Sequence, residues 1–180
     1  MTRTTTAPQA RVEALDWAAL STELDAFGHA LTPRPVLTAE ECRSVAALYD
    51  DVHRFRSTID MERYRFGRGQ YRYFDHPLPA LVQELRAAFY PRLPLQVVIG
   101  LDEPGGDFTG GEFLMTEQRA RAQSRGYSTT LLQGHVLVFT TRDRPVRSVR
   151  GWSKGPMRHG VSTVRSGRRH TLGLVFHDAE

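Results

Sequence analysis

Cysteine is nearly missing: Cys42 is the single thiol in a chain of 180 residues. That count rules out a disulfide framework or a multi-cysteine metal site within one chain, and it suits a reducing cytoplasm. Lysine is as scarce. Lys154 is the only one, so the net charge of +4 rests on arginine. No apolar run reaches the roughly eighteen residues that a membrane helix needs. The opening MTRTTTAPQA holds no apolar stretch of signal-peptide length. The expectation is a soluble cytoplasmic protein that does not engage a membrane.

The composition that remains is ordinary, with 40% hydrophobic and 24% charged residues. The length suits one domain with a proper core. The arginines are scattered apart from a denser run between Arg142 and Arg158. Scattered charge of this kind fits a solvated, mixed-charge surface better than a nucleic-acid interface, even at a sequence pI of about 9.6.

Patterning divides the chain. Residues 1–10 are polar and threonine-rich, which reads as a disordered tail. Asp16 can cap a helix with Trp17, Leu20, Leu24 and Phe27 on one face, closed by Gly28. Thr38-Ala-Glu-Glu41 is a capping box opening a second helix, with Val45, Leu48 and Tyr49 inward. Aromatic residues alternate around Gly67 and Gly69, as in a hairpin between Phe55 and Phe74, and a third helix follows Pro79. From 94 onward the pattern is β: strands at 95–101, 111–118, 135–141, 160–164 and 171–176, with a turn at 102–106. The reading is one α+β domain over 11–180. A mainly helical front (11–93) packs on one face of a β-core (94–180) of sandwich or jelly-roll type.

Two features carry chemistry. His159 opens a strand, and Arg168-Arg169 follows a Ser166-Gly167 turn. Alone, a strand-entry histidine is more often a hydrogen-bonded structural residue, and an arginine after a turn is usually solvated. Together they can supply a neutral imidazole to a metal and a guanidinium fork to a carboxylate beside it. Strand alternation places Arg169, Thr171 and Gly173 on one face, with Arg168 and His170 on the other.

The segments DFTGGEF (107–113) and HGVSTVRSGRR (159–169) resemble those of the bacterial Fe(II)/2-oxoglutarate-dependent dioxygenases of the prolyl-hydroxylase-like group. The resemblance implies a double-stranded β-helix core. It further implies iron(II) and 2-oxoglutarate as cofactor and cosubstrate, ascorbate as an optional accessory, and hydroxylation of a protein side chain or a small metabolite. Carried over by position, His159 matches the distal iron-binding histidine, and Arg169 matches the residue pairing with the far carboxylate of 2-oxoglutarate. Gly110 and Gly111 then read as a backbone turn, and Glu112 as structural.

That family completes its iron site with an earlier His-x-Asp or His-x-Glu. None of the seven histidines here has an acid two residues on. The third helix runs straight into the strand at the Leu93-Pro94 junction, where the family carries a longer segment holding that motif. The core is therefore expected to lack early strands, and the iron site to be incomplete. Asp51/His53, Asp75/His76, Asp102/Glu103 and His177/Asp178 are the substitutes at hand, each read first as surface or turn chemistry. The rival reading is an inactive remnant that serves as a binding or interaction module.

Overall fold

The computed structural model describes residues 6–64, 68–91, 96–118, 123–148 and 151–176. Helix α1 (Pro8–Glu13) starts on a proline, whose missing N–H costs nothing at a first turn, and it buries Pro8 and Val12. Residues 8–10 thus belong to the folded body and not to a disordered tail. The apolar contact of Val12 with the core supplies what the polar composition hid. In α2 (Trp17–Phe27) the Asp16 carboxylate accepts from the Ala19 N–H, and Gly28 ends the helix at φ 77°, donating to the Leu24 carbonyl. Phe27 is 46% exposed and so lies off the inward face expected for it. The Gly28 turn drops the chain directly into β1 (His29–Leu31).

Helix α3 (Ala39–Ala47) carries the full capping box, Thr38 and Glu41 each satisfying the other's backbone N–H. Strands β2 (Phe55–Asp60) and β3 (Gln70–Phe74) form the expected hairpin, and α4 (Ala80–Phe89) follows. Among the described residues nine more strands follow: β4 (Gln96–Gly100), β5 (Phe108–Gly110), β6 (Phe113–Glu117), β7 (Arg125–Thr129), β8 (Val136–Phe139), β9 (Asp143–Ser148), β10 (Gly151–Val161), β11 (Val164–Gly167) and β12 (Thr171–Val175). They form one antiparallel sheet in the order β1-β8-β4-β12, a second in the order β7-β6-β10-β9, and a β5–β11 pair.

The layering follows from side-chain alternation. Val136 and Val138 of β8 pack with Val97, Ile99, Leu172, Leu174 and the apolar sides of the helices. Leu137 and Phe139 of the same strand face Phe113, Met115 and Met157 of the second sheet. All four residues of β8 are buried, so this strand reads as a continuous apolar run. The helices thus cover one face of the first sheet, and the second sheet covers the other. Each fully buried Leu, Ile or Phe contributes about 1.5–3 kcal/mol by leaving water.

Two sequence expectations change here. The mainly helical front holds a strand beyond the expected hairpin, because β1 pairs with β8 and joins the main sheet. The strand expected at 160–164 is instead the end of the longer β10 followed by β11, with Ser162 and Thr163 between them. There the Ser162 N–H donates to the Glu112 carbonyl and the Gly111 N–H to the Thr163 carbonyl. Strands β7 and β9 escaped notice because RGYST and DRPVRS are too polar to show alternation. The Leu93-Pro94 junction lies outside the described residues. Among the described residues, no helix is long and apolar enough to cross a membrane.

One buried ion pair ties the layers together. Arg144 of β9 donates to the Glu117 carboxylate of β6 at 2.7 Å and to the Asp25 carbonyl of α2 at 2.8 Å. The side chains are 9% and 1% exposed. Removing one partner strands a buried charge, so Glu117→Ala should cost about 3–5 kcal/mol in urea unfolding, and Glu117→Gln markedly less. A second pair titrates. Burial pushes the Glu41 carboxyl up, but the Arg11 guanidinium and the Thr38 N–H and hydroxyl outweigh it and hold the pKa below 4.5. A lowered acid stabilises the fold above its unfolded pKa, and that stability is lost as pH falls through the folded value. Acid unfolding followed by circular dichroism should therefore show a smaller loss below about pH 4.5 in Arg11→Met than in the parent.

Candidate functional site

Register fixes where the two candidate residues sit. His159 lies on β10 opposite Met115 of β6, on the inward side that also carries Met157. Its ring stacks on Phe113 (centroids 6.0 Å apart, 8° between planes) and meets Phe139 edge-on at 4.8 Å. The residue stays exposed overall, with Phe113 and Phe139 covering part of its ring. That cover desolvates the imidazole and lowers its pKa, favouring the neutral form a metal would need.

Arg169 stands just before β12, and the structure separates it from its neighbour. Arg168 points outward and meets Asp50 at 3.3 Å, both side chains well exposed. Arg169 is half-buried, its guanidinium 5.9 Å from the centre of the Phe108 ring. Burial pulls its pKa down, with Asp102 and Tyr71 opposing. No described carboxylate pairs with it, because Asp102 is engaged by both the backbone N–H and the ring Nδ1 of His170. Thr171 and Gly173 continue the Arg169 side of β12 and are exposed, whereas Leu172 and Leu174 are buried in the core.

The glycines of FTGGEF have two different jobs. A Cβ on Gly110 would come within 2.2 Å of the Thr163 carbonyl, so Gly110 serves the close approach of two backbones. A Cβ on Gly111 would lie 2.7 Å from Cδ of Arg169, and the residue sits at φ 69°. Gly111 is therefore the floor over which the Arg169 side chain crosses. Reading both glycines as a turn missed this, and the signal available was the doubled glycine itself. Glu112 is structural as expected, its carboxylate accepting from the Ser162 hydroxyl.

The substitute acids do not gather around His159. Asp51 accepts from the His53 N–H and pairs with Arg54, and Asp75 accepts from the His76 N–H. Asp102 clamps His170 at the rim of a cavity of about 560 Å³, also lined by Arg43, Glu103, Asp107 and Arg168. His177 and Asp178 lie outside the described residues. Among the described residues, no group of three His, Cys, Asp or Glu side chains is placed so as to hold a metal ion. One imidazole walled by phenyl rings does not make an iron site, whereas an inward guanidinium with no described acid beside it suits a carboxylate.

Comparison with known proteins bears on the fold and on the β-half. Residues 92–179 match the family Oxygenase-NA, described as an oxygenase catalysing oxidative methylation of damaged DNA. The β-half of the chain is thus similar to that oxygenase family. Two uncharacterized proteins of Mycobacterium tuberculosis (strains CDC 1551 / Oshkosh and ATCC 25618 / H37Rv) are 67% identical over 86 residues, 48% of this chain. The match spans only 37% of those relatives' length. A prolyl-4-hydroxylase of Pseudomonas putida has a similar fold. Its TM-score is 0.54 at 16% identity, and the match covers 87% of this chain and 96% of that one. The likeness in fold thus extends through the helical front as well as the β-half.

If Gly111 is the floor for Arg169, then Gly111→Ala should displace the guanidinium and also strain the backbone at φ 69°, a cost that melting curves on the same variant read separately. Binding of a dicarboxylate such as 2-oxoglutarate, followed calorimetrically, should weaken roughly as much as in Arg169→Gln, about 10–100-fold for a lost charge-assisted contact.

Proposed function

We propose that this protein descends from the Fe(II)/2-oxoglutarate-dependent dioxygenases. It retains the cosubstrate-binding arm of such a site without the full set of iron donors. The observation that carries the reading is Arg169, half-buried over Gly111 and Phe108 with no described carboxylate to neutralise it. A guanidinium so placed presents two parallel donors to a carboxylate and gains strength from partial desolvation. In this reading Arg169 holds the far carboxylate of 2-oxoglutarate, and the exposed Thr171–Gly173 side of β12 leaves room for the rest of the molecule. His159 is the one metal-type donor. In a complete site, iron(II) would supply oxygen activation for hydroxylation, with ascorbate keeping the metal reduced. The described residues of this chain do not hold it.

The alternative, a non-catalytic binding module, is favoured by the same shortage of donors around His159. The sequence left the acted-on class at a protein side chain or a small metabolite, with a nucleic-acid-modifying relative as a third reading from the pI of about 9.6 and the arginine-rich 142–158 run. The description of the matched family supports that third reading.

The test has three measurements on one preparation: iron retained after anaerobic loading, 2-oxoglutarate affinity, and succinate release. The expected result is 2-oxoglutarate binding that depends on Arg169, sub-stoichiometric iron and no turnover. Stoichiometric iron with succinate release would establish a working enzyme. Affinity unchanged in Arg169→Gln would remove the basis of the reading.

A further inference from the structure

The arginine-rich run that the sequence left as solvated surface takes on a definite shape in the β9–β10 hairpin. Its register pairs Trp152 with Arg147 and Lys154 with Pro145, and further along β10 Arg158 faces Thr116 of β6. Alternation along β10 separates two sides. Gly155 and Met157 are buried with the second sheet's core, while Trp152, Lys154, Pro156 and Arg158 turn outward. Trp152 is 73% exposed, the most exposed of the large hydrophobic side chains in the described residues. Arg147, Lys154 and Arg158 make no ion pair with any described carboxylate. The other arginine of β9, Arg144, is the buried partner of Glu117 and takes no part.

A bare indole flanked by three free cations is an unusual thing to leave in water. The combination has a matching ligand: a polyanion with a flat, stackable unit at each charge. We propose that the outer face of the β9–β10 hairpin is an anchoring site for single-stranded nucleic acid, Trp152 stacking on a base while Arg147, Lys154 and Arg158 hold phosphates. Trp152 and Arg158 are six residues apart, roughly 20 Å at about 3.3 Å a residue. That reach suits the lower end of single-strand site sizes, about four nucleotides. The proposal takes its ligand class from the nucleic-acid reading above but needs neither iron nor 2-oxoglutarate. The site lies on the side of β10 opposite to Met157 and His159, so it positions a strand and takes no part in any chemistry on it.

The experiment uses the full chain and a fluorescein-labelled fifteen-nucleotide oligothymidylate, read by anisotropy across a salt series. The parent should bind, with the logarithm of affinity falling against that of salt at a slope of about −2 for three phosphates. Trp152→Ala should weaken binding roughly ten-fold, and Trp152→Phe should recover most of that loss. The double variant Lys154→Ala/Arg158→Ala should flatten the slope by about 1.4. Arg54→Ala, an exposed arginine on another element, should change neither. Melting curves and 2-oxoglutarate titrations on the same variants keep loss of fold, and failure of the cosubstrate reading, separate from loss of this site. No binding at low salt would overturn the proposal. So would unchanged affinity in Trp152→Ala, a Phe variant as weak as Ala with parental melting, or polyglutamate competing as well as the oligonucleotide.

Discussion

Strand β8 has no solvent side, and much of the architecture answers to that. A strand whose every residue is apolar must be covered twice, and the cover comes from different parts of the chain. The helices supply one layer through Leu20, Val45, Leu85 and Phe89, and the second sheet supplies the other through Phe113, Met115 and Met157. Covering Leu137 and Phe139 therefore brings β6 and β10 into register beneath them. His159, two residues beyond Met157, is carried into the aromatic wall as a consequence. The candidate metal donor is placed by a packing requirement and not by any polar contact of its own.

Two inward arginines of the β-half show how differently the same side chain can be used. Arg144 is engaged: Glu117 neutralises it, the Asp25 carbonyl takes a second N–H, and the second sheet is joined to α2 at that point. Arg169 has a floor, an aromatic neighbour and a distant acid already committed to His170, and among described residues no partner. Burying a charge without a counter-ion is costly. A protein that retains this arrangement carries the cost at rest, and under the proposed reading it recovers that cost when a carboxylate arrives. That asymmetry is a stronger argument for a ligand than either arginine's position in the chain.

What the sequence disclosed, it disclosed where local chemistry and tertiary context agree. The Asp16 cap, the Gly28 stop and the Thr38–Glu41 box are settled within a few residues of themselves, so the helices were legible. Strand β12 alternates cleanly, which also put Arg169 on the side of Thr171 and Gly173, away from Leu172 and Leu174. Strands β7 and β9 did not show, because they sit at the edges of the second sheet with polar sequences and are held by partners far along the chain. Helix α1 was hidden for a similar reason: its six residues bury only Pro8 and Val12, too few to rise above a threonine-rich context. The role of Gly111 was beyond reach, since it depends on the path of a side chain fifty-eight residues later. The resemblance to the oxygenases pointed to His159 and Arg169, and to a motif that none of the seven histidines supplies, but it could not say what surrounds either residue.

Strand β10 brings the remaining threads together. Its period of two lets one segment serve the core and the solvent at once, with Met157 and His159 inward and Trp152, Lys154 and Arg158 outward. A slip of one residue would exchange the two sets, placing an indole and two cations in the core, so the register must be firmly held. It is held at several points: β6 pairs along Met157–Val161, β9 pairs along Gly151–Pro156, and Arg144 locks β9 to β6 through Glu117. The same buried ion pair that stabilises the layers thereby decides which face of β10 meets the core and which meets a partner. Fold stability and surface chemistry are in this sense one constraint, and a variant that loosens Glu117 should disturb the hairpin face along with the core.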